Sequence, residues 1–205
     1  KHIVILNEAA VHAVLGHVLG THAPGIQDAD QLGAVIHHQN LAQGLAIQAL
    51  RAARGDLTIG TTMPLMPSRA EGGMMSWLNQ KAASGFDEVW NGAFLDPLFR
   101  GAYPSTARGM VESVLQEGDL AAIRQPIDFL GVNYSAPAYT RFHPTAPSLI
   151  EPAPPPRGSE LDAFDRHLDP NGLFETLARL RQLYGNPRVL ITENGCSDPD
   201  RKSVV

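Results

Sequence analysis

Ile3-Val4-Ile5-Leu6-Asn7-Glu8 is the stretch on which the reading of the fold turns. Its four apolar residues follow one another without polar alternation, the pattern of a strand buried on both faces of a parallel sheet. The run stops on Asn7-Glu8. Far downstream, Arg188-Val189-Leu190-Ile191-Thr192 stops in the same way, on Glu193-Asn194-Gly195. Two further runs lie between them, Leu57-Thr58-Ile59-Gly60-Thr61-Thr62 and Ile127-Asp128-Phe129-Leu130-Gly131-Val132-Asn133-Tyr134.

The segments between these strands carry helical spacing. From Asp28 to Arg54 the apolar positions Leu32, Val35, Ile36, Leu41, Leu45 and Leu50 recur at helical steps. Asp28 or Asp30 is placed to cap the start, and Gly55 to sit just past the end. Residues 68–95 are expected to be mainly helical, weakened by Gly72-Gly73, and a further helix is expected over Thr106 to Gln116. Gly172 to Tyr184 is amphipathic through Leu173, Leu177, Leu180 and Leu183. The prolines between Phe142 and Glu160 exclude a central strand or a helix and predict a long loop. Alternation of strand and helix predicts an α/β fold with a parallel sheet.

In such folds the carboxyl ends of the strands face the active site, so Glu8 and Glu193 can point into one cleft from two strands. Two carboxyl groups about 5–5.5 Å apart can cleave a glycosidic bond with retention, one as a proton donor and one as a nucleophile. Asn7 and Asn133, also at strand ends, could bind sugar hydroxyls. Singly, either Glu also reads as a helix-start residue or a solvated loop charge, and strand-end position alone does not separate these readings.

Composition narrows the alternatives. Sixteen Lys and Arg against 21 Asp and Glu give −5, with no basic cluster to grip phosphates, so nucleic acid is not an expected partner. No apolar run reaches the roughly 18–20 residues of a membrane span. The one cysteine, Cys196, excludes an internal disulfide and, without a placed His, reads as packing. Among the 8 histidines, His12, His17 and His22 recur at five-residue steps, which do not stack on one α-helical face, and no carboxylate completes a metal set. No Gly-x-Ser-x-Gly elbow and no Gly-x-Gly-x-x-Gly loop is present, which removes support for a serine hydrolase and for a dinucleotide fold.

Leu6-Asn7-Glu8, Leu15-Gly16-His17 and His22-Ala23-Pro24-Gly25 resemble glycoside hydrolase family 1, which includes β-glucosidases and β-galactosidases. Further matches follow in the family's order. They are His37-His38 with Gly44, Phe94-Leu95-Asp96-Pro97-Leu98-Phe99-Arg100-Gly101 with Tyr103-Pro104, Ile127 to Tyr134, and Ile191-Thr192-Glu193-Asn194-Gly195.

The resemblance implies a partial (β/α)8 TIM barrel spanning roughly the fourth to seventh strands. It also implies retaining hydrolysis of a small-molecule β-glycoside or oligosaccharide, with neither cofactor nor metal. By position it gives Glu8 the acid/base role and Glu193 the nucleophile role. Asn7 would contact the 2-hydroxyl of the reacting sugar, Asn133 would stand beside the nucleophile, and His22 would line the aglycone side.

Three positions depart from the family pattern. Ala9 replaces a proline, and Ala10 replaces an aromatic aglycone platform, which implies a wide aglycone side. Ser135 replaces a tyrosine whose hydroxyl contacts the nucleophile, and a serine is too short to reach it. The first three strands and the eighth, which carry the other sugar-binding residues, have no counterpart in this sequence.

The chain opens inside an apolar run without an initiator Met, so its N-terminus reads as cut; a cytoplasmic location is the expectation. Residues 1–199 read as the barrel domain. Asp200-Arg201-Lys202-Ser203-Val204-Val205 reads as a non-native tail, the translation of a common sequencing-adapter sequence. A catalytically silent carbohydrate-binding or interaction fragment is the alternative that Ser135, Ala9 and the missing strands favour.

Overall fold

The computed structural model describes residues 1–146 and 148–197. The expected tail at 200–205 lies outside the described residues. The opening run forms strand β1 (His2–Asn7), followed by the short helix α1 (Ala9–Val11), which widens at once into a π-helical segment at His12–Val18. After a 3₁₀ turn at Ala29–Gln31 comes the long helix α2 (Leu32–Ala53). Asp28 caps this entry by accepting from the Asp30 amide at 3.0 Å. Ile36 and Ile47 are each 1% exposed on its inner face. Burying each stabilises the fold by about 1.5–3 kcal/mol. The helix ends at Arg54 in extended conformation, and Gly55 does not adopt the left-handed cap expected of it.

Strand β2 (Thr58–Pro64) is followed by a short strand β3 (Ser68–Ala70), helix α3 (Ser76–Asp87), a π-helical turn at Glu88–Gly92 and helix α4 (Ala93–Phe99). The expectation that 68–95 is mainly helical is met from Ser76 onward and corrected at its start. Ser68 to Ala70 pair instead with a neighbouring strand, and the π turn re-aims the chain so that Phe94, Leu95 and Leu98 all enter the core. Helix α5 (Ser105–Val111) is shorter than the expected 106–116, giving way to a turn, and helix α6 (Asp119–Ile123) follows it.

Then come strand β4 (Phe129–Tyr134), strand β5 (Ala138–Phe142), strand β6 (Ile150–Pro152), helix α7 (Pro170–Leu183) and strand β7 (Val189–Asn194). The proline-rich stretch thus holds one short strand. β6 pairs antiparallel with β5, and Pro152 ends it at the sheet's edge, where a missing N–H costs no ladder bond.

The main sheet has the order β1-β2-β4-β7, all parallel, and with α2 to α7 it builds part of a TIM barrel. β3, β5 and β6 form a small second sheet that the sequence pattern did not reveal. Every residue of β4 is buried, as is β2 beyond Thr58. β1 and β7, with a neighbour on one side only, are not buried on both faces as their apolar runs predict: Val4 is 43% and Ile191 45% exposed. Among the described residues, no helix is long and apolar enough to cross a membrane.

Candidate active site

Both candidate carboxylates sit where a strand loses its regular ladder. Val4 pairs with Gly60 but Asn7 pairs with Thr62, so β1 carries one residue more than β2 over that interval. Val132 pairs with Ile191 but Asn133 pairs with Glu193, which makes Thr192 the extra residue on β7. Such bulges kink a strand and re-aim its side chains, and they recur beside active sites.

Glu8 follows the first bulge with φ 53° and ψ 50°, a left-handed backbone uncommon outside glycine. Two backbone bonds hold it there: its N–H donates to the Thr62 carbonyl at 3.0 Å, and its own carbonyl accepts from His12 at 3.2 Å. The kink turns the chain from β1 into α1 within one residue. Glu8 Oε1 then accepts a hydrogen bond from Asn133 Nδ2 at 2.9 Å, and Asn7 Oδ1 accepts a longer one from the same nitrogen at 3.4 Å. Asn133 lies on β4, so these bonds reach across β2.

Asn133 is held from its other end. Its Oδ1 accepts from Thr192 Oγ1 at 2.6 Å. The Thr192 hydroxyl sits over Gly131, where an added Cβ would lie 2.3 Å from Thr62 Oγ1 and 3.0 Å from Thr192 Oγ1. A side chain at Gly131 would displace both threonines. Asn194 donates from Nδ2 to the Tyr134 carbonyl at 2.9 Å, tying β7 to β4 just beyond Glu193.

Asn7, Glu8, Asn133 and Glu193 stand at the carboxyl ends of three strands, β1, β4 and β7. Glu193 is exposed, and its carboxylate has no hydrogen-bond partner among the described residues. Ser135 is exposed too, and its side chain makes no hydrogen bond among the described residues. His22 is not joined to the group. It is exposed on the loop after the π-helical segment, and its side chain meets Thr21 Oγ1, 3.4 Å from Nδ1.

Ala10 is 1% exposed in the hydrophobic core. Cys196 is exposed rather than packed. The histidine spacing also needs correction. The wider π turn brings His12 and His17 into edge contact at 5.1 Å between ring centres, a pairing that α-helical geometry would forbid. Among the described residues, no group of three or more His, Cys, Asp or Glu is arranged to hold a metal ion.

Sequence reasoning missed Thr192 and Gly131, because a β-branched residue before a strand-end Glu, and a glycine within an apolar run, look like ordinary strand positions. A cavity of about 450 Å³ lies apart from this site, between α3, β3 and α7, where Arg179 pairs with Asp87. A shallow apolar groove of about 530 Å³ runs beside β1, lined by Leu6, Val35, His38 and Ala42 among others.

Comparison with known proteins shows the family and the fold. Residues 1–204 match the model of Glycosyl hydrolase family 1. A bifunctional β-D-glucosidase/β-D-fucosidase from Bifidobacterium breve is 32% identical over 97% of this chain and 45% of its own length. The crystal structure of a psychrophilic β-glucosidase from Micrococcus antarcticus superposes with a TM-score of 0.84 at 33% identity, covering 95% of this chain and 46% of that one. A Thermotoga maritima family 1 glycoside hydrolase, complexed with a cyclophellitol analogue as a transition-state mimic, gives 0.83 at 29% identity over 96% and 44%. The chain spans less than half the length of these relatives.

Proposed function

The chain belongs to glycosyl hydrolase family 1, and from that membership we propose that it carries the two carboxylates of a retaining β-glycosidase. Glu8 in its protonated form donates to the glycosidic oxygen while Glu193 attacks the anomeric carbon from the opposite face. The aglycone leaves, and the sugar remains as an ester on Glu193. Glu8, now ionised, takes a proton from water, which attacks the same carbon and frees Glu193. Two inversions give net retention. The substrate class is a small β-glycoside or oligosaccharide, in keeping with the β-glucosidase and β-fucosidase names of the relatives. Asn7 contributes a hydrogen bond to a hydroxyl of the reacting sugar.

The observation that carries this reading is Asn133, whose amide bonds Glu8 while its backbone stands in register with Glu193. Asn133 thus touches one candidate carboxylate through its side chain and stands beside the other in the β4–β7 ladder.

Product stereochemistry with azide tests the two roles. The chain is joined to the complementary part of the Bifidobacterium breve relative and assayed on an activated aryl β-glucoside. Glu193→Ala should lose hydrolysis and, with azide, form the α-glycosyl azide, because only one inversion remains. Glu8→Ala should form the β-glycosyl azide, because attack on the ester is the second inversion. The opposite stereochemistry, or full activity in either variant, would overturn the assignment. That the Glu193 carboxylate has no hydrogen-bond partner among the described residues favours a second reading, a silent carbohydrate-binding module. Sugar binding without turnover in the unmutated hybrid would support that one.

A further inference from the structure

We propose that Thr192 is a positioning residue for the acid/base: it orients the Asn133 amide so that the NH2 group faces Glu8. The inference rests on the roles proposed above for Glu8 and Glu193, and adds a residue that those roles do not name.

Three observations converge on Thr192. It is the bulged residue of β7, so the strand adds one residue to place it between Ile191 and Glu193. Its hydroxyl donates to Asn133 Oδ1 at 2.6 Å, while Asn133 Nδ2 donates to Glu8 Oε1 at 2.9 Å. Room for that hydroxyl exists because residue 131 is glycine, whose missing Cβ would lie 3.0 Å from Thr192 Oγ1.

An asparagine amide has one accepting end and one donating end. An ionised Glu8 accepts only, so it must face the NH2 end. Thr192, bonded at the oxygen end, keeps the amide from turning over. Valine has the shape of threonine without the hydroxyl, and serine keeps it. Because Asn133 is buried, an amide released by Thr192 has little water with which to replace the lost bond.

The test follows the Asn133 side-chain NH2 pair by ¹⁵N-resolved NMR on this chain, the pair being assigned by its disappearance in Asn133→Ser. The unmutated chain should show it shifted from the exposed asparagines and slow to exchange with solvent. Thr192→Val should move the pair and speed its exchange about tenfold, the effect of one net hydrogen bond. Thr192→Ser should restore both.

Should Thr192→Val fail to fold, Thr192→Ala takes its place against the serine variant. Loss in Ala with retention in Ser supports the proposal. An unshifted pair in the unmutated chain, an unchanged pair in Val or Ala, or loss in Ser equal to that in Ala overturns it. None of these readouts requires turnover, so they stand or fall separately from the hydrolytic reading.

Discussion

Asp162 shows how much one carboxylate can organise around the site. Its Oδ1 accepts from the amides of Phe164 and Arg166 at 2.9 and 3.0 Å, and its Oδ2 accepts from Arg166 Nε at 2.8 Å. The Ser197 amide reaches the same carboxylate at 3.4 Å, and Ala163 donates to the Ser197 carbonyl at 2.9 Å. This latches the loop before α7 onto the exit of β7, four residues past Glu193. The Arg166 guanidinium, helped by these amides, holds the Asp162 carboxyl well below the usual carboxylate range. A lowered folded pKa means that the stabilisation is present above the unfolded value, near pH 4, and is lost as pH falls below it. The Ala163 amide should therefore exchange faster as pH drops through that window, after correction for intrinsic chemistry. Asp162→Asn should exchange fast already at neutral pH and lose the pH dependence; a latch equally protected in both would refute the assignment. At this scale the carboxylates and Asn133 were legible, because each ends a short apolar run and lies within an ordered motif. Thr192 was not, because nothing in a sequence marks which strand residue the ladder will skip.

Helix α2 depends on close approach. An added Cβ on Gly44 would lie 2.1 Å from the Ala122 carbonyl of α6, and one on Gly33 would lie 1.9 Å from the Met110 carbonyl of α5. Both obstacles are backbone and cannot rotate aside. Gly44→Ala should cost about 1–3 kcal/mol, read as a lower urea midpoint at unchanged m-value. Between the two glycines the same helix buries a polar set. Asn40 Nδ2 donates to Tyr103 Oη at 3.1 Å, and His37 lies 3.2 Å from that hydroxyl and 2.9 Å from Asp119. Burial pushes the Tyr103 phenol up to about 12. With the folded value raised, its stabilisation is full below the unfolded value near pH 10 and fades as pH climbs toward 12. Tyr103→Phe should cost about 1–3 kcal/mol at neutral pH, since Asn40 loses an acceptor, and should flatten the alkaline decline between pH 10 and 12. An unflattened decline would place the titrating group elsewhere. Elements with one clean period were readable from sequence, α2 above all. The 68–95 region was not, because a three-residue strand and a π turn break its period while leaving apolar residues at helix-like spacing.

Across the whole molecule, burial falls from the middle of the sheet to its rims. β2 and β4 have strands on both sides; β1 and β7 have one neighbour each, leaving Val4 and Ile191 near half exposed. An apolar residue left in water forgoes much of the roughly 1.5–3 kcal/mol that full burial gives. An unpaired edge also exposes its backbone groups, which closed barrels avoid. This explains why the alternation of strand and helix told the fold class correctly while the burial of the two outer strands was overread: a continuous apolar run records the surroundings a strand is suited to, and this chain spans only about 45% of its relatives' length. The rims are where both carboxylates sit. Glu8 is tied inward through Asn133, whereas Glu193 lies on the more exposed strand end with no partner for its carboxylate among the described residues. Backbone amides of β4 and β2 should therefore exchange most slowly, with those of β7 opening first and by local fraying. Because a displacement of about 1 Å between reacting groups costs on the order of 10²-fold in rate, this chain alone should hydrolyse an aryl β-glucoside at least about 10²-fold more slowly than the hybrid completed from a relative. Equal protection of β7 and β4, or comparable rates for chain and hybrid, would show that the four strands hold Glu193 in place by themselves.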